Sequence, residues 1–396
     1  MTLPSDTAPW AVRSTAAPPH VTGGGRHRHI LQSWLAAASM VGCCGVVFYG
    51  PAALIVLAVG PLAALAADLA IAVVLRRPVL GGLMYSFLMG FLLSLTLPAT
   101  VPLYVPVVGS IVAVGVKAMF GRMGHCVWHP ALVGRVVVQF VFWQQLSLSP
   151  GNATLRWPVL NRNHLVIGDI SDARPIPARE YQGWQVANKL WPRPNAFLID
   201  RPVALLRAFT EGVLSPEEGR RFSSLVRDIL PPWRDTILGT VPGGIGETCT
   251  AALVLAGLFL IYRGHLRWQL PVALLGAAAL AAAILPVNTG GGAGGYRWIP
   301  ALAVEDGRAV GVAYVLFQLT AGQLMLGAVL LAGDMMLTPM RTRGQIVYAI
   351  GIGVLTIFLR LYGPLEGACY WSILVMNTLV PAIDRSMKRP ILGLPD

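Results

Sequence analysis

Charged side chains are scarce in this sequence. They make up 12% of its 396 residues, whereas soluble domains carry about 25%. Hydrophobic residues account for 55%. Together these proportions exclude an ordinary water-soluble globular domain and predict an integral membrane protein.

Cysteine is scarce as well, and its five positions lie in or beside apolar stretches. None of them shows the CxxC spacing that is typical of structural metal sites. We therefore predict small packing residues rather than metal ligands. The five positions are Cys43, Cys44, Cys126, Cys249 and Cys369.

Long apolar runs, by contrast, are abundant, and ten of them reach the length of about 17 to 25 residues that a spanning helix requires. The predicted fold class is therefore all-α integral membrane, with about ten transmembrane helices and a large hydrophilic loop after the fifth. The runs lie at about residues 30–49, 52–75, 80–97, 102–119, 126–146, 245–262, 268–286, 310–332, 345–361 and 366–384.

The large loop divides the chain into two halves of five helices each. A tail over residues 1–29 precedes the first half at 30–146, and the loop at 147–241 precedes the second half at 242–384 and a tail at 385–396. With five helices in each half, the second half enters the membrane from the opposite side. The halves are therefore predicted to be inverted repeats, in which functional sites lie near the repeat interface.

The net charge of +12 could indicate a nucleic-acid partner, but its distribution argues against one. Basic residues gather in alternate loops, and the short loops between them hold little beyond Arg297, Arg308 and Arg360. This asymmetry is typical of the positive-inside rule. It predicts a multi-pass membrane protein with both termini cytoplasmic and the 147–241 loop outside. The basic loops contain Arg76, Arg77, Lys117, Arg122, Arg263, Arg267, Arg341 and Arg343.

The stretch VPGGIGET places three glycines and a carboxylate at the start of the predicted sixth span. A helix amino terminus has unpaired N–H groups, and Gly243, Gly244 and Gly246 leave that backbone open to an anionic group. Glu247 could then accept a bond from a ligand, a proton or a cation. Equally, Gly244 could cap the helix while Glu247 folds back in a capping-box arrangement. The spacing alone leaves both interpretations open.

Two more carboxylates occur at membrane depth, where an ionisable group is a functional candidate. Asp68 lies within the second span, where it serves an ion pathway or pairs within the bundle, with Arg135 as one candidate partner. Asp334 ends the eighth span, where a carboxylate opposes the helix dipole and must gain from contact with an ion, a base or an arginine. Glu247, Asp68 and Asp334 are thus the candidate catalytic, ion-carrying residues.

Three further motifs carry weaker signals. His125 and His129 have the i, i+4 spacing of a metal pair, but no third ligand lies nearby, so no metal site is predicted. The run GGGAGG at 290–295 lacks the flanking strand and helix of a dinucleotide site, and it is predicted to be an outer loop. Asn377 and Asp384 close the last span, either as functional residues or simply as its end.

Five stretches together resemble one family, the RnfD and NqrB membrane subunits of redox-driven ion pumps. They occur in family order and span most of the chain outside the 147–241 loop. The block GGxGET is the most specific of them. The stretches are APPH, FGRMGHCVWHPALVGR, VPGGIGETCTAALVLAGLFLIYR with LRWQLPVALL, LTAGQLMLGAVLLAGDMMLTPMRTRGQ, and EGACYWSILVMNTLVPAID.

The resemblance implies ten helices in two inverted halves and a subunit that carries electrons through flavin in a complex that pumps Na+ or H+. It implies FMN as the cofactor, with riboflavin as a further, non-covalent candidate. The implied partners are other subunits of the complex, including a flavinylated subunit on the outer face, and membrane lipid, but no nucleic acid. The candidate cofactor-binding residues are Gly243, Gly244, Gly246, Thr248 and Arg201.

The chain departs from the family pattern at the position that normally carries the flavin. In the family, FMN is linked through its phosphate to a threonine of the outer loop, but the best counterpart here is Arg201, which cannot form a phosphoester. Thr154 is a weaker alternative attachment site, and reversible pairing of Arg201 with the phosphate is another alternative. His129 also stands where the family has Asn, and GDMM at 333–336 replaces Thr-Asp-Pro-Val.

Three functions stay open at this point. The leading one is a membrane subunit of an electron-transfer-driven cation pump. The second is a passive channel or secondary transporter on the same scaffold, because buried carboxylates suit it equally well. The third is a structural subunit that has lost covalent FMN, which the missing threonine favours.

Overall fold

The computed structural model describes residues 24–74, 76, 82–99, 101–120, 126–142, 146, 169–175, 195–198, 203, 206, 222, 225–226, 230–231, 233–239, 243–288, 298–303, 308–334, 336–363 and 367–387. Most of these residues lie in helices, and two short two-stranded sheets complete the described part.

The first half of the chain folds into five helices whose outer surfaces are apolar. Leu62 and Val74, for example, are 60% and 78% exposed. A helix that is apolar all round requires a lipid environment or burial in a larger core. The helices are α1 (Gly24–Tyr49), α2 (Pro51–Val74), α3 (Leu83–Leu95), α4 (Tyr104–Met119) and α5 (Pro130–Val141).

The second half contains the remaining helices. A 3-10 turn at Ala301–Ala303 precedes α9, and a π-helical turn at Gly327–Leu331 continues α10. The helices are α6 (Trp233–Leu238), α7 (Thr250–Tyr262), α8 (Gln269–Ile284), α9 (Arg308–Thr320), α10 (Gln323–Leu326), α11 (Thr342–Tyr362) and α12 (Ala368–Ser386).

Two small sheets, which were not predicted, accompany the helices of the all-α membrane fold. β1 (Asp169–Pro175) pairs in parallel with β2 (Asn195–Leu198) within the 147–241 loop. β3 (Pro286–Asn288) pairs antiparallel with β4 (Trp298–Pro300). β3 precedes the GGGAGG run and β4 follows it, and the run itself lies outside the described residues.

Each of the ten predicted runs contains a helix, whereas ten membrane crossings stay a prediction. Among the described residues, three helices have the length and composition to cross alone: α2, α11 and the Arg28–Tyr49 part of α1. α9 and the α10 segment pass the same test only as a pair that is bent by 51°. Five more are shorter apolar helices, namely α3, α4, α5, α7 and α8. The fold is that of a mostly helical membrane protein.

Glycines bring the helices of the first half close together. A Cβ on Gly90 of α3 would come within 2.7 Å of the Gly60 carbonyl oxygen of α2, and a Cβ on Gly134 of α5 would meet the Gly109 carbonyl oxygen of α4. In lipid, small residues let helix backbones approach for van der Waals contact. This packing holds α2 to α5 together and positions the polar side chains on them.

The chain is broken between α9 and α10, and an arginine stabilises the break. Gly322 there has φ of 70°, which L side chains rarely adopt. Arg360 of α11 binds the carbonyl groups freed at the end of α9: Nη1 donates to Gln318 O at 2.6 Å and Nη2 donates to Ala321 O at 3.0 Å. Its positive charge also complements the negative end of the helix dipole.

The prediction that Arg360 lies in an outer loop is wrong. Arg360 lies within α11 and is 6% exposed. Because Arg360 stands near the end of an apolar run, its position in the sequence resembled that of a loop residue, whereas its hydrogen bonds with α9 draw it into the bundle.

Candidate functional site

Two clusters of buried polar side chains lie at opposite ends of the same helices. One surrounds Glu247, where α3 and α5 end and α7 and α12 begin. This end is termed the insertion side, because residues 143–242 connect α5 to α7 there. The other surrounds Asp334, where α3 and α5 begin. It is termed the termini side, because α12 ends there.

The segment before α7 is a buried turn and not the first turn of a helix. α7 begins at Thr250, whereas the predicted start was residue 245, and residues 243–250 are all buried. The three glycine N–H groups were expected to be unpaired, and that expectation is wrong. Gly243, Gly244 and Gly246 donate, in order, to the Tyr49 hydroxyl at 3.1 Å, the Glu247 carboxylate at 3.1 Å and the Leu95 carbonyl at 2.7 Å.

Glu247 joins this turn to α12. Its side chain is 2% exposed, and both carboxylate oxygens accept hydrogen bonds. The Gly244 N–H donates to Oε2 at 3.1 Å, and the Tyr370 hydroxyl of α12 donates to Oε1. The predicted fold-back of Glu247 onto Gly244 is therefore present, although the residue that caps α7 is Cys249.

Two buried arginines flank this carboxylate. Arg135 of α5 is 1% exposed, its Cζ lies 5.7 Å from the Tyr370 ring centroid, and its Nε donates to Thr96 O at 3.4 Å. Arg360 interacts electrostatically with Glu247 from the α11 side. Glu247 thus supplies negative charge in a region that also holds two buried cations. Glu247, Arg135, Arg360 and Tyr370 are termed the Glu247 cluster.

The glycines of the turn serve close packing. A Cβ on Gly244 would come within 2.8 Å of the Glu247 Cδ, and a Cβ on Gly246 within 2.9 Å of the Leu95 Cβ. Because the protein itself fills this space and the glycine N–H groups are paired, the turn does not fit a bound phosphate group. Thr248 is 5% exposed, and its hydroxyl has no partner among the described residues.

Asp334 lies three residues after the π-helical turn. Its Oδ1 accepts the Met336 N–H at 3.1 Å, and its Oδ2 lies 3.5 Å from the Tyr85 hydroxyl of α3. Nε2 of His129, the residue before α5, lies 3.9 Å from the same Oδ2. The predicted contacts for Asp334 were an ion, a base or an arginine, and the structure places a base, His129, beside it.

Tyr348 of α11 and Asn377 of α12 extend this group. The Tyr348 hydroxyl donates to Asn377 Oδ1 at 2.6 Å, and the Asp334 charge acts on that hydroxyl. Asp334, Tyr85, His129, Tyr348 and Asn377 are termed the Asp334 cluster. Asp384, by contrast, accepts a bond from the backbone N–H of Met340 at 3.3 Å in an exposed position.

Asp68 does not pair with Arg135, so that candidate pairing is wrong. Its Oδ2 instead lies 2.9 Å from Lys117 Nζ of α4 and accepts a bond from the Ser86 hydroxyl of α3 at 2.8 Å. Lys117 also donates to Gly82 O at 3.1 Å. Asp68 is therefore part of a partly buried, well-bonded contact between α2, α3 and α4 on the termini side.

Three candidate residues lie outside the described residues, namely His125, Thr154 and Arg201. Within the described ranges, no group of three side chains could hold a metal ion.

Sequence reasoning missed four members of these clusters, namely Tyr85, Tyr348, Arg360 and Tyr370. Arg360 carried a signal, since a charge within an apolar run is a functional candidate. The three tyrosines carried none, because a single tyrosine in an apolar helix is equally typical of a membrane interface.

The fold and the two clusters define a multi-helix membrane protein that buries ionisable side chains at both ends of its bundle. The chain belongs to the NQR2, RnfD, RnfE family, whose sequence model matches residues 14–393.

Two of the following three relatives align over nearly the whole chain, and the third covers 72% of it. The D subunit of the proton-translocating ferredoxin:NAD(+) oxidoreductase complex of Clostridium ljungdahlii is 30% identical over 376 residues, which cover 93% of this chain and 92% of the relative. The D subunit of the Na(+)-translocating ferredoxin:NAD(+) oxidoreductase complex of Acetobacterium woodii is 27% identical over 383 residues, which cover 96% and 95%. The D subunit of the ion-translocating oxidoreductase complex of Stutzerimonas stutzeri is 29% identical over 294 residues, which cover 72% and 69%.

Proposed function

We propose that the chain is the membrane subunit of a multi-subunit complex that uses electron transfer to drive Na+ or H+ across the bacterial cytoplasmic membrane. Membership of the family and the names of its relatives support this function. The structural observation that carries it is the pair of buried ionisable clusters at the two ends of one set of helices.

Buried charge at membrane depth argues for use in ion movement. An ionisable side chain at the centre of a bilayer helix costs about 2.5–3.5 kcal/mol on insertion scales. Glu247, Arg135 and Arg360 are each at most 6% exposed, and Asp334 is 14% exposed. Apolar residues in their places would avoid that cost, so these charges favour a transport function over a purely structural one.

Four elements link the two clusters, and one of them is α11, which carries Tyr348 and Arg360. α3 carries Tyr85 near one end, and its last residue, Leu95, contacts the glycine turn. Along α5, the rise from His129, the residue before the helix, to Arg135 is about 9 Å. Along α12, the rise from Tyr370 to Asn377 is about 10 Å. We propose that the ion passes between the clusters, with Glu247 and Asp334 as the charged groups at the two ends.

Flavin is the proposed electron carrier, and when bound it supplies electron-transfer chemistry that side chains lack. The glycine turn does not fit its phosphate, because the three glycine N–H groups are already paired. The proposal therefore assigns the FMN phosphate to Arg201, by charge-assisted pairing, or to Thr154, by a covalent bond. The other subunits of the complex, one of them flavinylated, are the proposed partners.

The purified chain is expected to release flavin on acid treatment and to give no fluorescent band on a denaturing gel under ultraviolet light. Arg201→Ala should lose most of the flavin, because the guanidinium is the proposed phosphate partner. Arg263→Ala, which removes an exposed arginine between α7 and α8, is the matched control and should keep it. A fluorescent band that Thr154→Ala removes would instead place the flavin on Thr154. Wild-type protein without any flavin would rule out the redox function.

The proposed orientation places the termini side in the cytoplasm, because exposed Arg267 and Arg341 lie there with the other basic loops. Reporter fusions after Arg77 or Arg263 should fluoresce as cytoplasmic green fluorescent protein. Alkaline phosphatase fusions within 150–235 should be active, since that enzyme folds only outside the cytoplasm. The opposite pattern would invert the assignment of the two sides.

A further inference from the structure

The Asp334 cluster contains a histidine whose polar atoms are unused. His129 is fully buried, and neither Nδ1 nor Nε2 has a hydrogen-bond partner among the described residues. A neutral imidazole carries one donor and one acceptor, and leaving both unpaired in a buried position is costly. An imidazole kept in this state is available to a partner that is bound only part of the time.

The nearest ionisable group is the Asp334 carboxylate, with 3.9 Å between His129 Nε2 and Asp334 Oδ2. A hydrogen bond requires about 2.7–3.2 Å, so a shift of about 1 Å would form one. The two groups differ in their freedom to move. His129 immediately precedes Pro130, the first residue of α5, whereas Asp334 lies in the non-helical segment between the π-helical turn and α11. We therefore expect Asp334 to make the approach.

We propose that His129 and Asp334 together hold the translocated ion as a proton, so that His129 makes this chain selective for H+ over Na+. The inference rests on the proposed function and specifies its ion. Binding transfers one proton from water to Asp334 Oδ2, and the neutral acid then donates a hydrogen bond to Nε2 of the neutral imidazole. Release returns the same proton to water, and no other atom is exchanged.

The groups that face Asp334 favour a proton over a metal cation. Tyr85 and the Met336 N–H direct donors at the carboxylate. The Tyr348 hydroxyl is within electrostatic range, but it donates to Asn377. A hard cation prefers several oxygen ligands, whereas these neighbours offer donors and a ring nitrogen.

Two further titratable groups lie near the pair. Cys126, in the segment before α5, interacts electrostatically with Asp334 and with Lys117 of α4. Lys117 is already paired with Asp68 at 2.9 Å. The Lys117 charge is therefore balanced by Asp68 and does not neutralise Asp334, for which one proton is enough.

The first test measures ion uptake by inverted membrane vesicles that contain the whole complex. The vesicles are supplied with reduced ferredoxin and NAD+, the reactants named for the complexes of Clostridium ljungdahlii and Acetobacterium woodii. Wild-type vesicles should acidify their lumen in sodium-free buffer, as a pH-sensitive dye reports. His129→Asn should lower the protons taken up per NAD+ reduced by about tenfold or more, because an amide oxygen is a far weaker base than an imidazole nitrogen and stabilises the proton of Asp334 less. His29→Asn, an exposed histidine on α1, is the matched control and should keep the wild-type ratio.

The second test needs no turnover and uses the purified full-length chain. Infrared spectra of wild-type protein between about pH 5 and 8 should contain a protonated carboxyl band that shifts in heavy water. Asp334→Asn should remove the band, and His129→Asn should move its midpoint and its frequency. A histidine with a merely structural role would leave both unchanged.

The outcomes separate this inference from the proposed function. Uptake of radioactive sodium that persists with a protonophore present, or a wild-type spectrum without an Asp334 band, would overturn the proton assignment while the pump function stands. NAD+ reduction without uptake of either ion would overturn both.

Discussion

Replacing Glu247 with glutamine is expected to reduce ion uptake per electron transferred by about tenfold or more while the chain still inserts into the membrane. The amide removes the negative charge that acts on Arg360 and accepts the bond from Tyr370, whose ring lies beside Arg135. Its NH2 group also fails to accept one of the two bonds that Gly244 and Tyr370 now donate. A hydrogen bond to a charged group contributes about 1.5–3 kcal/mol, and about 1.4 kcal/mol corresponds to a tenfold change in an equilibrium.

The measurement is ion uptake by inverted vesicles, normalised to the inserted protein on an immunoblot. Tyr370→Phe is the matched control, because it removes the hydroxyl donor to Glu247 and leaves the carboxylate charge in place. We expect Tyr370→Phe to retain more uptake than Glu247→Gln. Wild-type uptake in Glu247→Gln would leave the fold-back onto Gly244 as the only role of this carboxylate.

Replacing Arg360 with methionine is expected to lower the free energy of unfolding by about 3 kcal/mol or more. The guanidinium satisfies three buried acceptors, namely the Gln318 carbonyl, the Gln318 side-chain oxygen and the Ala321 carbonyl. Each buried acceptor that is left unpaired costs about 1–3 kcal/mol. Denaturant unfolding of the purified chain in detergent measures the loss.

Two variants control this prediction. Arg343→Met removes an exposed arginine from the same helix and should change stability by about 0.5 kcal/mol or less. Arg360→Lys keeps the charge but not the planar fork of donors, so its loss should be intermediate. Equal losses in Arg343→Met and Arg360→Met would show that the bonds at the α9 break do not stabilise the fold.

The positions of the helices could be predicted because apolar length is a local property of the sequence. Every predicted run contains a helix, although α3 and α5, at Leu83–Leu95 and Pro130–Val141, are shorter than the runs suggested. The break between α9 and α10 was not predicted. Gly322 is one of many glycines in the sequence, and the residue that stabilises the break, Arg360, lies 38 positions later.

The turn before α7 shows what local sequence lacks. The sequence analysis singled out the glycines and Glu247 as one segment, and the fold-back to Gly244 spans only three residues. The partners that occupy the glycine N–H groups, Tyr49 and Leu95, come from the other half of the chain. Such long-range contacts decide whether the glycine N–H groups are available to a ligand or already paired. They leave no signal in the stretch itself.

The pairing of Asp68 was mispredicted for a related reason. Both Lys117 and Arg135 are basic residues within the first half, and the sequence alone gives no order of preference. α2 packs against α3 and α4, so the side chain of Asp68 meets Lys117 and Ser86. Arg135 faces Tyr370 of α12 instead.

Because α3, α5, α11 and α12 each reach from one cluster to the other, each of these helices can act as a lever. A helix is stiff along its length, so a tilt about its midpoint moves its two ends in opposite directions. For α3, which rises about 18 Å over its 13 residues, a tilt of about 10° displaces each end by about 1.5 Å. That displacement would break the 3.5 Å contact of Tyr85 with Asp334 at one end while it shifts the Leu95 carbonyl against Gly246 at the other. The contact at the Asp334 end and the contact at the Gly246 end would thus change together, in one movement of the helix.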